Sequence, residues 1–345
     1  MQNKETRNIT IAWFGALCFF LSTIEYMIPK PLPFLRIGLA NLPVMLAIDI
    51  LPIPSFLILI TIKILGQGII TGTLFSYIFL FSAAGTLSSA LIMYAFRKLF
   101  PSRISFAGIS VLGAFTSNAS QLLLARWFIF GPSTWYIAPP FFAVGVLTGT
   151  ILGLFTNHFA KESLWYLGLK KGSIKIPVVD PLLAKVATRK NHFFNAPSFR
   201  ITVGLALLFS LLFVRNLAVQ AIIVIIAVFL LLLSSKKIAL VPVILMSVSI
   251  ILFNLLTPFG KILGEPFGLR ITEGALLLGI KKALTVEGMI FISRWMLQPG
   301  FSFPGKGGIL LNQTFMVLRH LTERKSRFNP KEPIRSIDAI MSLDD

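Results

Sequence analysis

Apolar runs separated by short polar or proline-bearing breaks fill most of the chain. A helix needs about 20 apolar residues to cross the hydrocarbon of a bilayer, and that yardstick picks out ten segments. Six lie in the first half, at 9–28, 37–51, 54–72, 74–96, 105–130 and 137–160. Four lie in the second, at 200–214, 217–234, 238–257 and 270–297. The second and third are short or punctuated by Gly and Pro, with Pro52 and Pro54 between them. The stretch 161–199 has no long apolar run and carries seven cations (Lys161, Lys170, Lys171, Lys175, Lys185, Arg189, Lys190) against Glu162 and Asp180. It reads as a cytoplasmic linker with an amphipathic helix around 162–170 on the membrane surface. The pattern therefore predicts an all-α integral membrane protein of about ten transmembrane helices. Its parts are a six-helix membrane domain at 1–160, a basic linker at 161–199, a four-helix membrane domain at 200–297 and a cytoplasmic tail at 298–345. A helix is expected at 308–326 in that tail.

Composition agrees. The chain is 55% hydrophobic and 13% charged, with a mean hydropathy of +0.83, too little polar surface for a soluble domain of 345 residues. The first apolar segment is too long for the core of a cleaved signal and lacks its small-residue cleavage site. The net charge of +19 sits between or after the apolar runs, which points to membrane orientation and away from nucleic acid. Lys4, Arg7, Arg97, Lys98, Arg103, Lys236 and Lys237 fall on one side; the uncharged GPSTWYIA turn at 131–138 falls on the other. Six spans, an inside linker and four spans place both termini in the cytoplasm of a plasma (inner) membrane. The lone cysteine, Cys18, excludes intrachain disulfides and paired-cysteine motifs.

No P-loop, nucleophile elbow, zincin motif or aspartate-rich diphosphate motif is present, so autonomous ATP-driven or metal-dependent catalysis is not expected. Polar residues at membrane depth carry the chemistry instead, because each is costly there. The stretch IEYMIPKPLPFLRIGLANLP at 24–43 holds Glu25, Arg36 and Asn41 among four prolines; broken backbone at this depth must be buried in protein or line a cavity. Lys63 and Gln67 stand one helical turn apart, on a segment thinned by Gly66, Gly68 and Gly72. Asn118 and Gln121 share a face of the fifth span. These seven residues are the candidate ligand-binding set. Interfacial snorkelling of Arg36, ion pairing of Lys63 and interhelical hydrogen bonding by Asn118 and Gln121 are the structural alternatives. In the last span, Glu273, Glu287 and Arg294 fall in one narrow sector at about 100° per residue. Such a stripe is expected to pack on another helix or domain, making the three candidates for inter-domain or partner coupling.

Glu25, Pro29 and Pro33, RIGLAN (36–41), KILGQGIITG (63–72), FSAAGTLSSALIM (81–93) and SVLGAFTSNASQLLLA (110–125) resemble the Gx membrane family. That family is often labelled heptaprenyl diphosphate synthase component I and is similar to substrate-binding S components of energy-coupling factor (ECF) transporters. The segment ITEGALLLGIKKALTVEGMIFIS (271–293) resembles, more weakly, the transmembrane T component of those transporters. It departs from them after Leu297, where no Ala-Arg-Gly coupling triplet follows. The resemblance implies an S-like bundle fused to a T-like half that takes up a small vitamin-like or isoprenoid-related solute, with ECF-type ATPases as partners. Relatives also resemble membrane proteins of quinone biosynthesis and of flavin-based electron transfer. The alternatives are thus a subunit holding flavin or quinone beside extracytosolic flavoproteins, or a non-catalytic component of quinone or isoprenoid biosynthesis.

Overall fold

The computed structural model describes residues 4–26, 38–101, 103–173, 197–234, 238–265, 270–297, 305–323 and 332–341. They are helical almost throughout: α1 (Lys4–Tyr26), a 3-10 turn (Leu39–Asn41) leading into α2 (Leu42–Ile48), α3 (Ile53–Thr71), α4 (Tyr77–Leu99) and α5 (Phe106–Ala125). A π-turn (Arg126–Phe130) and a short 3-10 turn lead into α6 (Thr134–Glu162), followed by α7 (Leu164–Lys171). The second half contains α8 (Pro197–Phe213), α9 (Leu217–Leu233), α10 (Leu240–Leu255) and α11 (Glu273–Met296), then α12 (Gly305–Glu323) and α13 (Pro333–Met341). Two short strands absent from the sequence reading, β1 (Ile262–Gly264) and β2 (Ile271–Thr272), pair antiparallel before α11.

Four helical runs are long and apolar enough to cross a membrane: Glu5–Glu25, Ile53–Thr71, Tyr77–Leu99 and the continuous Phe106–Glu162 run. The last folds back on itself at the π-turn and at Gly131 (φ 57°). Its two arms pack so closely that a Cβ at Gly153 would lie 2.4 Å from the Ala107 Cα; small residues permit such approach where no hydrophobic force distinguishes helix from lipid. The remaining apolar helices are shorter, at Leu39–Ile48, Ser198–Phe213, Leu217–Leu233 and Leu240–Leu255. Leu39–Ile48 rises only about 15 Å, half a bilayer core. The membrane character and the all-α class follow from these helices; a count of ten complete spans does not.

Three apolar clusters organise the interior. The first gathers Trp13, Phe14 and Phe19 of α1, Phe56 of α3, Trp165 and Tyr166 of α7, and residues of α12 and α13. The second crosses between the halves, joining Phe81, Ile129, Phe130 and Phe141 to Met246, Ile250, Val286 and Ile290. The third lies within the second half, around Leu211, Ala227, Ile292 and Trp295. The amphipathic helix expected near 162–170 is α7: Trp165, Tyr166 and Leu169 are buried while Lys170 and Lys171 are exposed.

The expected tail helix is α12, which lies along α1. Gly15 faces Thr314, and the rings of Phe19 and Phe315 stack at 5.4 Å. The sequence reading contained no α13. Its Ile334, Ile337, Ile340 and Met341 are buried, a helical spacing that was available in the sequence.

Candidate functional site

The proline-rich break ends at Gly38, whose φ of 91° suits glycine and starts the 3-10 turn. The Glu25 carboxylate, at the C-terminal end of α1, accepts from the backbone N–H groups of Gly38 and Leu39 at 3.1 and 3.0 Å. It thereby satisfies two donors that open every helix without a partner. Asn41, closing the same turn, accepts from the Lys63 ammonium of α3 through Oδ1. One turn along α3, the Gln67 amide donates to the Ser22 hydroxyl of α1, and Ser22 is three residues before Glu25. The bonds close a ring: α1, the break, α3 and back to α1. Glu25, Lys63 and Gln67 are 5%, 2% and 3% exposed, while Ser22, Gly38, Leu39 and Asn41 are half-buried. Of the seven candidate ligand residues, the structure brings Glu25, Asn41, Lys63 and Gln67 together. Arg36 lies outside the described residues. Ser22 completes the ring and was missed, because a lone serine late in an apolar helix gives no signal.

Asn118 and Gln121 serve other contacts. Asn118 donates to the Phe141 carbonyl of α6 at 2.9 Å and fills the space over Gly145. Gln121 donates to Ser117 at 2.8 Å and fills the notch over Gly85 of α4. Each polar side chain thus occupies the void of a glycine on the facing helix.

Of the three coupling candidates, Glu287 and Arg294 stay close enough to interact electrostatically, and Glu273 stands apart. Glu273 is exposed at the start of α11. Glu287 is 4% exposed, and neither of its oxygens makes a hydrogen bond of normal geometry. Arg294 packs its side chain over Gly72, the left-handed residue that ends α3 (φ 69°). The neighbouring Ser293 hydroxyl accepts from the Phe75 N–H at 3.1 Å. A second polar link between the halves is Asn254, 2% exposed. Its amide donates to the carbonyls of Ile129 (3.3 Å) and Ile250 (2.8 Å), while its Oδ1 accepts from Lys282 at 3.1 Å. Asn254 and Ser293 carried no pattern in the sequence; only their cross-helix partners identify them.

At one end of the bundle Arg97 grips Asp49 with two hydrogen bonds of 2.9 and 2.7 Å, and Lys170 of α7 lies 3.8 Å from the same carboxylate. The C-terminal ends of α2 and α4 and the amphipathic α7 therefore share that end. On α13, Asp338 accepts from the Ser163 hydroxyl and the Leu164 N–H (2.5 and 2.7 Å), fastening α13 to the start of α7.

Residues 14–159 match the protein family described as Heptaprenyl diphosphate synthase component I, and residues 196–299 match one described as a Domain of unknown function (DUF8519). The first match ends within α6 and the second begins just before α8, so α7, α12 and α13 lie in neither. No curated protein and no solved structure matches the chain.

Proposed function

We propose that the chain is the solute-holding membrane subunit of an ECF-type uptake system, with Lys63 as its recognition cation. The observation that carries this reading is the hydrogen-bonded ring around the buried Lys63, built where the backbone breaks and where the motifs of the family resemblance concentrate. An ammonium held by the neutral amide oxygen of Asn41 would bind a carboxylate or phosphate oxygen more strongly, since charge-assisted hydrogen bonds are about twice as strong. A solute bearing one anionic group and an apolar body, vitamin-like or isoprenoid-related, would displace Asn41 and leave Gln67 and Ser22 to contact its polar edge. The turn at Gly38–Asn41 would move to admit it, because it is the shortest element of the ring.

In this reading α1–α6 form the S-like bundle and α8–α11 the T-like half. Both termini lie in the cytoplasm of a plasma membrane, where ATPase subunits would dock. Support for the orientation comes from Arg97, Lys98, Arg103, Lys170 and Lys171, which gather at the Asp49 end of the bundle, as expected of a cytoplasmic face. Asn254, Ser293 and Arg294 would transmit movement between the halves.

The test is mass spectrometry of the purified protein and whatever small molecules and proteins accompany it. The reading expects an anionic solute retained by the native chain and lost from Lys63→Met, with ATPase subunits in the preparation. Equal retention by Lys63→Met would overturn the site. A bound flavin or quinone with extracytosolic flavoproteins would instead favour the electron-transfer alternative.

A further inference from the structure

A shallow cleft of about 300 Å³ opens on the second half, lined by Arg215, Leu217, Leu277, Leu278 and Lys281. It lies where the α8–α9 turn meets the first turns of α11. The turn is held firmly: the Gln220 amide donates to the Leu211 and Val214 carbonyls at 3.2 and 3.1 Å, closing the end of α8. The Asn216 side chain accepts from the Ala218 and Val219 N–H groups at 2.9 and 3.4 Å, capping α9. Lys281 reaches from α11 to the Arg215 carbonyl (3.4 Å), drawing its ammonium toward the turn.

Two cations therefore converge on one wall, Arg215 and Lys281, beside the capped start of α9. Among the described residues, no carboxylate lies within ion-pair distance of either cation. The exposed Glu273 stands two turns before Lys281, about 12 Å along the helix axis. The other wall is leucine (Leu217, Leu277 and Leu278), and exposed apolar side chains stand on all three helices: Phe213 of α8 (68%), Ile222 of α9 (54%) and Leu277 of α11 (46%). A purely aqueous anion would leave that apolar wall bare. An anion carrying hydrocarbon would cover it.

We propose that this cleft binds an anionic phospholipid. Its phosphate sits between Arg215 and Lys281 at the start of α9, and an acyl chain lies over Leu217, Leu277 and Leu278. The site is separate from the Lys63 ring and does not depend on the uptake reading. The bound headgroup ties the α8–α9 turn to α11, the helix that also carries Ser293 and Arg294 against the first half.

The experiment is native mass spectrometry of the full chain from nanodiscs containing phosphatidylglycerol and phosphatidylcholine in equal amounts. The native protein is expected to retain phosphatidylglycerol selectively. Each cation near a membrane surface contributes about a five-fold preference, so the double variant Arg215→Gln/Lys281→Gln should lose about 25-fold. Lys281→Arg should keep the preference, and Lys261→Gln, which removes an exposed cation elsewhere, should leave it unchanged. The proposal is overturned if the double variant retains phosphatidylglycerol as the native chain does, or if phosphatidylcholine is held equally well. Displacement of the lipid by inorganic phosphate alone would also overturn it, because the leucine wall would then contribute nothing.

Discussion

Phe19 of α1 lies in the notch left by Gly66 of α3: a Cβ at residue 66 would sit 1.9 Å from the ring's Cζ. Gly66 stands between Lys63 and Gln67, and the same Phe19 ring stacks on Phe315 of α12. A single aromatic side chain thus touches the polar ring's helix and the C-terminal helix together. Gly66→Ala must drive α1 from α3 or turn the ring away. We expect a loss of about 2 kcal/mol, typical of overpacking, seen as a lower unfolding temperature in detergent. An unchanged temperature would mean that α1 and α3 are not held at this spacing.

Asn41→Asp separates the binding role of Lys63 from its structural role. A carboxylate beside the buried ammonium keeps the link between the break and α3, so the fold should stay as stable as the native chain. It also places a negative charge where the proposed solute's anionic group would sit, so retention of that solute should fall about ten-fold. Mass spectrometry of the retained solute, paired with thermal unfolding, reads both. If solute retention is unchanged while the fold is intact, Lys63 is structural only.

Asn254 joins α10, α11 and the π-turn of the first half through three hydrogen bonds. Asn254→Leu keeps the branched shape but strands the Lys282 ammonium and the Ile129 carbonyl. Leaving buried polar groups without partners costs about 1–3 kcal/mol. The halves should then unfold in two steps where the native chain unfolds in one, measurable by differential scanning calorimetry. A single unshifted transition would show that the apolar contacts between the halves suffice.

Asp338 makes the docking of α13 depend on pH. Burial lifts its carboxyl above the ordinary carboxylate value, and hydrogen bonds from Ser163, Leu164 and Trp165 offset part of that rise. A folded pKa above the unfolded one means that docking favours the protonated form. The contribution is complete below the unfolded value of about 4 and is lost as pH rises through the higher folded value. Hydrogen exchange, corrected for its intrinsic rate, should find α13 better protected below about pH 4 than at about pH 8. Asp338→Asn should abolish the difference while leaving α13 docked, and equal protection of the native chain at both pH values would refute the assignment.

Much of the architecture could be read from periodicity because lipid leaves few choices. Runs near 20 apolar residues become helices, and the expected boundaries at 54–72 and 217–234 fall within a residue or two of α3 and α9. Where the runs were short or broken, the reading overreached. Residues 37–51 hold a ten-residue helical stretch, because Pro52 and the turn at Gly38 bound it closely. The tail was read as cytoplasmic with one helix, yet α12 and α13 each present an apolar face that α1 and α7 cover.

The sequence by itself determined that this protein belongs in a membrane, where its helices run, and which polar residues are too costly at that depth to be accidental. Hydropathy and period are local quantities, and they are written residue by residue. Partnership is not local. Only the tertiary structure decided that Glu25, Asn41, Lys63 and Gln67 close one ring through Ser22, while Asn118 and Gln121 fill glycine notches elsewhere. The physical reason is that a buried polar group must find a donor or acceptor, and the packing of distant helices settles which one lies within reach.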